Sequence, residues 1–143
     1  MSIAVVTFLV VLACVLAAHD IADHWLQSDH QARTKAAAGW PGHRACAAHV
    51  ACYTATQLFT MLAVCWWLSV PLSGPGAVLG VALSALTHYV IDRRAPLRWL
   101  AEHLGNGAFY RLNAGGLNGA YLLDQSAHRA VLFVTALLCA APF

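Results

Sequence analysis

The chain has few charged residues. Only 10% of its 143 residues are Asp, Glu, Lys or Arg, whereas 60% are hydrophobic. An average soluble domain contains roughly 25% charged residues, so this composition indicates a membrane protein. The formal net charge is only +2, and aromatic residues do not alternate with basic ones. We therefore expect no nucleic-acid partner.

Two common signatures of metal and redox proteins are absent. None of the five cysteines belongs to a CxxC pair, and each stands alone in an apolar segment. Isolated cysteines of this kind are typical of small buried hydrophobic residues, so neither a disulfide framework nor a thiolate cluster is expected. The sequence also contains no HExxH motif, which removes the usual signature of zinc proteases.

Four apolar segments have about the length needed to cross a membrane. A hydrocarbon core of about 30 Å requires roughly 17–25 helical residues, and the segments cover residues 3–26, 44–70, 77–92 and 119–141. The first segment lacks a preceding basic region and runs beyond signal-peptide length, so we interpret it as a retained span. The sequence therefore predicts one all-α domain, residues 1–143, built as a four-transmembrane-helix bundle.

The basic residues predict how this bundle is oriented. Lys and Arg near span ends tend to stay in the cytoplasm. Seven of the eight basic residues lie in the first and third connections: Arg33, Lys35, Arg44, Arg93, Arg94, Arg98 and Arg111. We therefore expect both termini outside and both basic connections in the cytoplasm, with the protein in the cytoplasmic (inner) membrane. Apolar and polar side chains alternate over residues 96–104, which predicts a short interfacial helix between the third and fourth spans.

Three His/Asp pairs with helical spacing interrupt the apolar segments. The pairs are His19 with Asp23, His88 with Asp92, and Asp124 with His128, and His49 stands alone on the second segment. Residues four apart lie on one face of a helix. In the predicted topology all seven lie near the cytoplasmic ends of their spans, so they should meet at one depth. An aspartate within a span costs roughly 2.5–3.5 kcal/mol at the membrane centre, and a bound divalent ion would offset that cost.

We interpret these seven residues as ligands of a divalent metal, with zinc as the first choice and one or two ions in the site. Mixed His/Asp ligation also suits manganese and iron. With three ionised aspartates and neutral histidines, the site would carry a charge of −3 when empty, −1 with one divalent ion and +1 with two. Charge alone therefore does not decide the number of ions. The alternative is a hydrogen-bonded His–Asp network that locks the bundle.

Polar residues near the pairs are candidates for three further roles. One group would hold the ligands in place by hydrogen bonding, and a second would bind the charge of a substrate. An aspartate that the metal does not fully engage would act as a general base. The first group is Asp20, His24 and Gln125, the second is Arg129, Lys35 and Gln27, and the candidate bases are Asp23, Asp92 and Asp124. For the arginine, an internal ion pair with Asp124 or Asp20 is the alternative.

The order of these motifs resembles a known family. The stretch His19–Ser28 with Lys35 after it, then His49, HYVID at residues 88–92 and DQSAH at residues 124–128 resemble a family of small bacterial and phage membrane proteins. That family is the domain of unknown function thirty-three-oh-seven. The resemblance spans nearly the whole chain and implies a four-span membrane protein. More loosely, the chain is similar to predicted membrane-bound metal-dependent hydrolases, whose His/Asp motifs also lie at span ends.

The leading functional prediction is a metal-dependent hydrolase that acts on a lipid or amphiphilic substrate at the cytoplasmic leaflet, with water as the nucleophile. One alternative is a metal sensor, transporter or proton pathway built from the same residues, for which the Ala- and Gly-rich helices would permit a homo-oligomer. Another is a small membrane protein without catalytic activity. An open coordination position would favour the enzyme, and a continuous polar path would favour transport.

Overall fold

A computed structural model describes residues 2–141 as an almost entirely helical chain. The described residues form helices α1 (Ile3–Ile21), α2 (Asp29–Thr34), α3 (Gly39–Trp67), α4 (Gly74–Asp92), α5 (Ala95–His103), α6 (Gly107–Tyr110) and α7 (Gly119–Ala140). A π-helical turn at Ala22–Leu26 extends α1. Two short strands, β1 (Asn113–Ala114) and β2 (Leu117–Asn118), pair in antiparallel fashion before α7.

Four helices are long and apolar enough to cross a membrane: α1 with its π-helical turn, α3, α4 and α7. The predicted helical architecture with four candidate spans is therefore confirmed. The four helices form a bundle in which α3 and α7 each pack against both α1 and α4. Large apolar side chains such as Phe59, Trp66 and Leu86 are exposed on the outside of the bundle. An apolar exterior of this extent is expected for helices that contact lipid.

The bounds of α3 differ from the predicted second span. The helix begins at Gly39, before the predicted start at residue 44, and the φ of Gly39 is +74°, a conformation that glycine adopts without strain. It ends at Trp67 and not at residue 70. The cause is local, because Ser69 has a φ of +53° and Pro71 has no backbone N–H to continue the helix.

Capping side chains determine where α4 and α7 begin. The Ser73 hydroxyl caps α4, and Pro75 fits within the first helical turn, so α4 begins before the predicted residue 77. The Asn118 side chain caps α7 in the same way. The observed fourth helix therefore begins at the predicted residue.

The bundle core is mostly apolar. Its most deeply buried apolar side chains include Val11, Val15, Met61, Leu132 and Ala136. Helices α4 and α7 approach closely at Gly80, where a Cβ atom would lie only 3.0 Å from the carbonyl oxygen of Thr135. The buried histidines and aspartates lie apart from this apolar region, at the end of the bundle where α1 and α4 finish and α3 and α7 start.

Arg93, at the end of α4, forms hydrogen bonds with the connection between α1 and α3. Its guanidinium donates hydrogen bonds to the carbonyl oxygens of Lys35 (2.6 Å) and Ala37 (2.7 Å). The chain approaches itself so closely here that a Cβ atom at Gly42 would lie 1.9 Å from the Ala37 carbonyl oxygen. The segment that carries Lys35 is therefore held against the bundle.

Candidate metal centre

All seven predicted ligand residues come together at one end of the bundle. Each of the four bundle helices contributes at least one of them: His19 and Asp23 from α1 and its π-helical turn, His49 from α3, His88 and Asp92 from α4, and Asp124 and His128 from α7. The four imidazoles and the Asp92 side chain are buried. The cluster is therefore enclosed by helices that are distant in sequence.

The shortest spacings in the cluster join two histidines and two aspartates. The Nε2 atoms of His49 and His88 are 3.1 Å apart. Each of these nitrogens lies between 3.3 and 3.5 Å from Asp23 Oδ1 and from Asp92 Oδ2. Donor atoms that share one zinc ion at about 2.0–2.1 Å in tetrahedral geometry are roughly 3.3 Å apart. The spacings among Asp23 Oδ1 and the two imidazole nitrogens, and those among Asp92 Oδ2 and the same nitrogens, therefore each match three donors around one ion.

The remaining predicted ligands surround these four. Three overlapping sets of side chains, each with ligand atoms within 4.8 Å of one another, could hold a metal ion. The sets are His19, His88 and His128; Asp23, His49 and His88; and Asp92, Asp124 and His128. Because His88 and His128 each belong to two sets, the residues form one connected centre.

Three candidate ligand atoms in the centre have neither a hydrogen-bond partner among the described residues nor a contact with Lys35. Asp23 Oδ1, Asp92 Oδ2 and His128 Nε2 are all buried in this way. Buried polar atoms are nearly always paired with a donor, an acceptor or water. A metal ion in the centre would provide a partner for atoms of this kind.

The imidazole rings are held mainly by packing. The Nδ1 atoms of His49 and His88 lack a partner among the described residues, although metal-bound imidazoles usually donate this N–H to a carboxylate or carbonyl group. The His88 ring instead lies between the rings of Tyr53 and His128, with centroids 3.9 and 4.1 Å away. The Tyr53 hydroxyl is itself fixed by the Ser84 hydroxyl at 2.6 Å.

Gln125 connects three members of the cluster. Its Oε1 accepts a hydrogen bond from His19 Nε2 at 3.2 Å. Its Nε2 donates to Asp124 Oδ2 at 3.3 Å and to Asp23 Oδ2 at 3.5 Å. Gln125 therefore contacts His19, Asp23 and Asp124, and its role in holding metal ligands stays a prediction.

Asp20 and His24, the other predicted supporting residues, lie on the exposed side of α1. His24 Nδ1 donates to the backbone carbonyl of Asp20 at 3.0 Å, and its Nε2 accepts from the Tyr121 hydroxyl at 2.8 Å. Asp23 and His24 are consecutive residues of the π-helical turn, and only Asp23 faces the cluster. Such turns are frequent at functional sites.

Lys35 belongs to the centre itself. Its buried Nζ lies 2.9 Å from Asp92 Oδ1, so the ammonium predicted to bind substrate neutralises a ligand carboxylate. With three ionised aspartates and neutral imidazoles, this one positive charge changes the net charge of the centre from −3 to −2. One divalent ion would neutralise the centre, whereas two would leave it positive.

The two other predicted substrate-binding residues lie in different surroundings. Arg129 is exposed and forms no ion pair with any residue that the structure describes, so neither ion pair considered for it is present. Gln27 lines a small pocket of about 110 Å³ next to the centre. Asp23, Lys35 and Asp124 line the same pocket, which gives the cluster an opening on one side.

Sequence reasoning missed three residues of this region. Tyr53 lies one turn after His49, and Ser84 lies one turn before His88, so their four-residue spacing was an available signal. Arg94 lines the pocket from the end of α4, and its position depends on a backbone conformation that no sequence pattern indicated.

Comparison with known proteins gives the family of the chain. Residues 11–142 match the family described as "Protein of unknown function (DUF3307)". The chain belongs to this family. The resemblance seen in the motifs is thereby confirmed at the level of the DUF3307 family, which brings no assigned activity with it. No curated protein and no solved structure matches the chain.

Substitution of Lys35 tests how much its ion pair with Asp92 stabilises the protein when no metal is bound. In Lys35→Met, Asp92 would lose its buried counter-charge, and breaking such a pair costs about 3–5 kcal/mol. We expect the thermal midpoint of chelator-treated protein to fall clearly and added Zn²⁺ to recover much of the loss. Arg33→Met is the matched control, because Arg33 pairs with Asp29 on the exposed surface of the same connection. Equal losses in the two variants would contradict the assignment.

Proposed function

We propose that this protein is a membrane-embedded hydrolase that uses one divalent metal ion, with zinc as the first choice, to cleave a lipid or amphiphilic ester. The pocket beside the cluster is the main support for this proposal. It has a volume of about 110 Å³ and is lined by Asp23 and Asp124. Water and the reacting end of a substrate could therefore reach the ligand atoms, as an enzyme requires and a saturated structural site does not.

The net charge of the centre and the donor spacings both support a single ion. His49, His88, Asp23 and Asp92 supply the four most closely spaced donors. Because Lys35 brings the charge of the centre to −2, one divalent ion balances it. Apparent binding free energies for structural zinc are about 10–16 kcal/mol, enough to offset the burial of the carboxylates.

Asp124 is the candidate general base. Asp92 is fully buried and paired with Lys35, whereas the Asp124 side chain is 17% exposed and lines the pocket. A bound divalent ion would supply Lewis acidity and acidify a nearby water. The water oxygen forms a bond to the carbon or phosphorus of the ester, and the bond to the leaving alcohol oxygen breaks. Asp124 takes the proton of the water and passes it to that oxygen.

The distribution of surface residues supports the orientation. Seven of the eight basic residues lie at the cluster end of the bundle, in its two connections or, for Arg44, in the first two turns of α3. We therefore propose that this end lies in the cytoplasm and both termini outside, in the inner membrane. Trp40 and Trp99 are exposed at this end, and Trp66 and Trp67 are exposed at the other. These positions suit two aromatic belts at the membrane surfaces. Helix α5 would then lie in the cytoplasmic interface.

An apolar groove near the pocket supports a substrate with a hydrocarbon tail. The groove has a volume of about 500 Å³ and is lined by residues of α4, α5 and α7, including Leu86, Leu100 and Val131. Leu97 of α5 lines this groove and also a second small pocket next to Asp124. An acyl chain in the groove would place its polar end near the centre.

The proposal predicts a specific effect of Asp124→Asn. Metal-loaded wild-type protein in detergent should release product from at least one member of a panel of phospholipids and amphiphilic esters. Removal of a general base typically lowers the rate 10²–10⁴-fold, so we expect a loss of about this size in Asp124→Asn. The control is Asp20→Asn, whose side chain is exposed outside the cluster. Metal-loaded wild type that is inactive on the whole panel would contradict the proposal.

A proton pathway is a second candidate, favoured by buried polar groups beyond the cluster. The hydrogen-bonded hydroxyl groups of Tyr53 and Ser84 lie one turn further from the cluster end of the bundle, along α3 and α4. The Tyr53 ring contacts the His88 ring. One turn further along α3, Gln57 is completely buried, and neither atom of its amide group has a partner among the described residues. Bound water at this amide would extend the polar groups deeper into the bundle, and a homo-oligomer could complete the path.

Gln57→Leu distinguishes the two functions. If the protein is a hydrolase, we expect the rate of hydrolysis to change less than twofold and the thermal midpoint not to fall, because no described residue would lose a hydrogen bond to this amide. Proton flux into reconstituted vesicles measures the alternative. Flux through wild type that is lost in Gln57→Leu, together with an absence of hydrolysis, would favour the pathway.

A further inference from the structure

Two small pockets meet beside Asp124 and share Arg94. One has a volume of about 110 Å³ and contains Gln27 and Lys35 in its lining. The other has a volume of about 90 Å³ and contains Leu97. Arg94, Tyr121 and Asp124 line both. Arg94 is exposed and therefore lies between the candidate metal centre and the surface.

Arg94 is the one arginine of the α4–α7 connection without a side-chain partner among the described residues. Arg93 donates to two backbone carbonyls, whereas Arg98 and Arg111 both pair with Glu102. Arg94 also has a φ of +58°, which is unfavourable for a residue with a Cβ atom. Strain of this kind concentrates at ligand-binding positions.

A second donor in the same lining lacks an acceptor. The Nε2 atom of Gln27 is buried and makes no hydrogen bond to any described residue. Gln27 and Arg94 line the same pocket. Gln27 thus offers a buried amide N–H, and Arg94 an exposed side chain without a partner among the described residues, at one cavity. A ligand with negative charge and several acceptor oxygens would suit both.

We propose that these pockets bind a phosphate group, so that the substrate of the centre is a phosphate ester. This inference rests on the proposed function. Arg94 binds the phosphate oxygens with charge-assisted hydrogen bonds, and Gln27 contributes a further donor. The metal ion offsets the repulsion that Asp23 and Asp124 would exert on such an anion. Arg94 thus takes the role that the sequence predicted for Arg129 and Lys35, of which the first lies elsewhere and the second pairs with Asp92.

Inorganic phosphate is the probe for this site. Binding to zinc-loaded protein in nanodiscs can be measured by calorimetry, with metal content measured on the same samples. We expect Arg94→Gln to weaken phosphate binding about tenfold or more while the metal content is unchanged. Arg98→Gln is the matched control, because Arg98 lies on α5 and pairs with Glu102, and its affinity should stay within twofold of wild type. Gln27→Leu provides a second variant if Arg94→Gln does not fold, and it should weaken binding in the same direction.

A second set of measurements distinguishes the source of the phosphate. Phosphatidic acid is placed in the nanodisc, with diacylglycerol as the lipid that differs only by lacking the phosphate group. If phosphatidic acid alone weakens the binding of inorganic phosphate, the site takes a lipid headgroup. If neither lipid competes while inorganic phosphate still binds through Arg94, the site takes a water-soluble phosphate ester.

Two results would overturn these proposals separately. If zinc-loaded wild type does not bind phosphate, or if the Arg94, Gln27 and Arg98 variants all bind it as wild type does, the phosphate site is wrong while the metal centre stands. If wild type holds no metal at all, the proposed hydrolase fails first.

Discussion

The ion pair between Lys35 and Asp92 is the interaction on which the arrangement of the centre depends. Burying an ionised carboxylate in an apolar bundle costs free energy unless a positive charge lies next to it. Lys35 lies in the connection between α1 and α3, so this connection must fold back onto the end of α4. The hydrogen bonds from Arg93 to the same segment hold it there. The need to neutralise Asp92 on α4 thus helps to determine the path of the connection between α1 and α3.

The Lys35–Asp92 pair neutralises only one of the three carboxylates of the centre. The negative charge that remains is what a bound cation would neutralise. Two negative charges remain if the imidazoles are neutral, and the closest donors have the spacing of ligands around one ion. The apolar core confines this charge to one end of the bundle, where a small pocket admits solvent beside Asp124. The combination of charge, spacing and access is the basis on which we propose a catalytic centre.

The length of the apolar segments made the four candidate spans predictable, and helical periodicity together with the topology made the convergence of the His/Asp pairs predictable. Residues four apart share a helix face, and span ends share a depth, so the pattern alone brought seven residues together. The roles of Lys35 and Arg94 were not predictable in this way, because both lie in connections whose paths depend on tertiary contacts and, for Arg94, on a φ of +58°. The π-helical turn that contains Asp23 and His24 was likewise not predictable from the types of its residues.

Elemental analysis of the detergent-purified protein tests directly whether the centre holds one metal ion. We expect about one divalent ion per chain in wild type and the loss of most of it in His88→Ala, because His88 Nε2 lies within 3.5 Å of three other candidate donors. A content near two ions would contradict the charge balance set by Lys35. Protein that retains no metal, with His88→Ala merely less stable, would show instead that the histidines and aspartates form a hydrogen-bonded network.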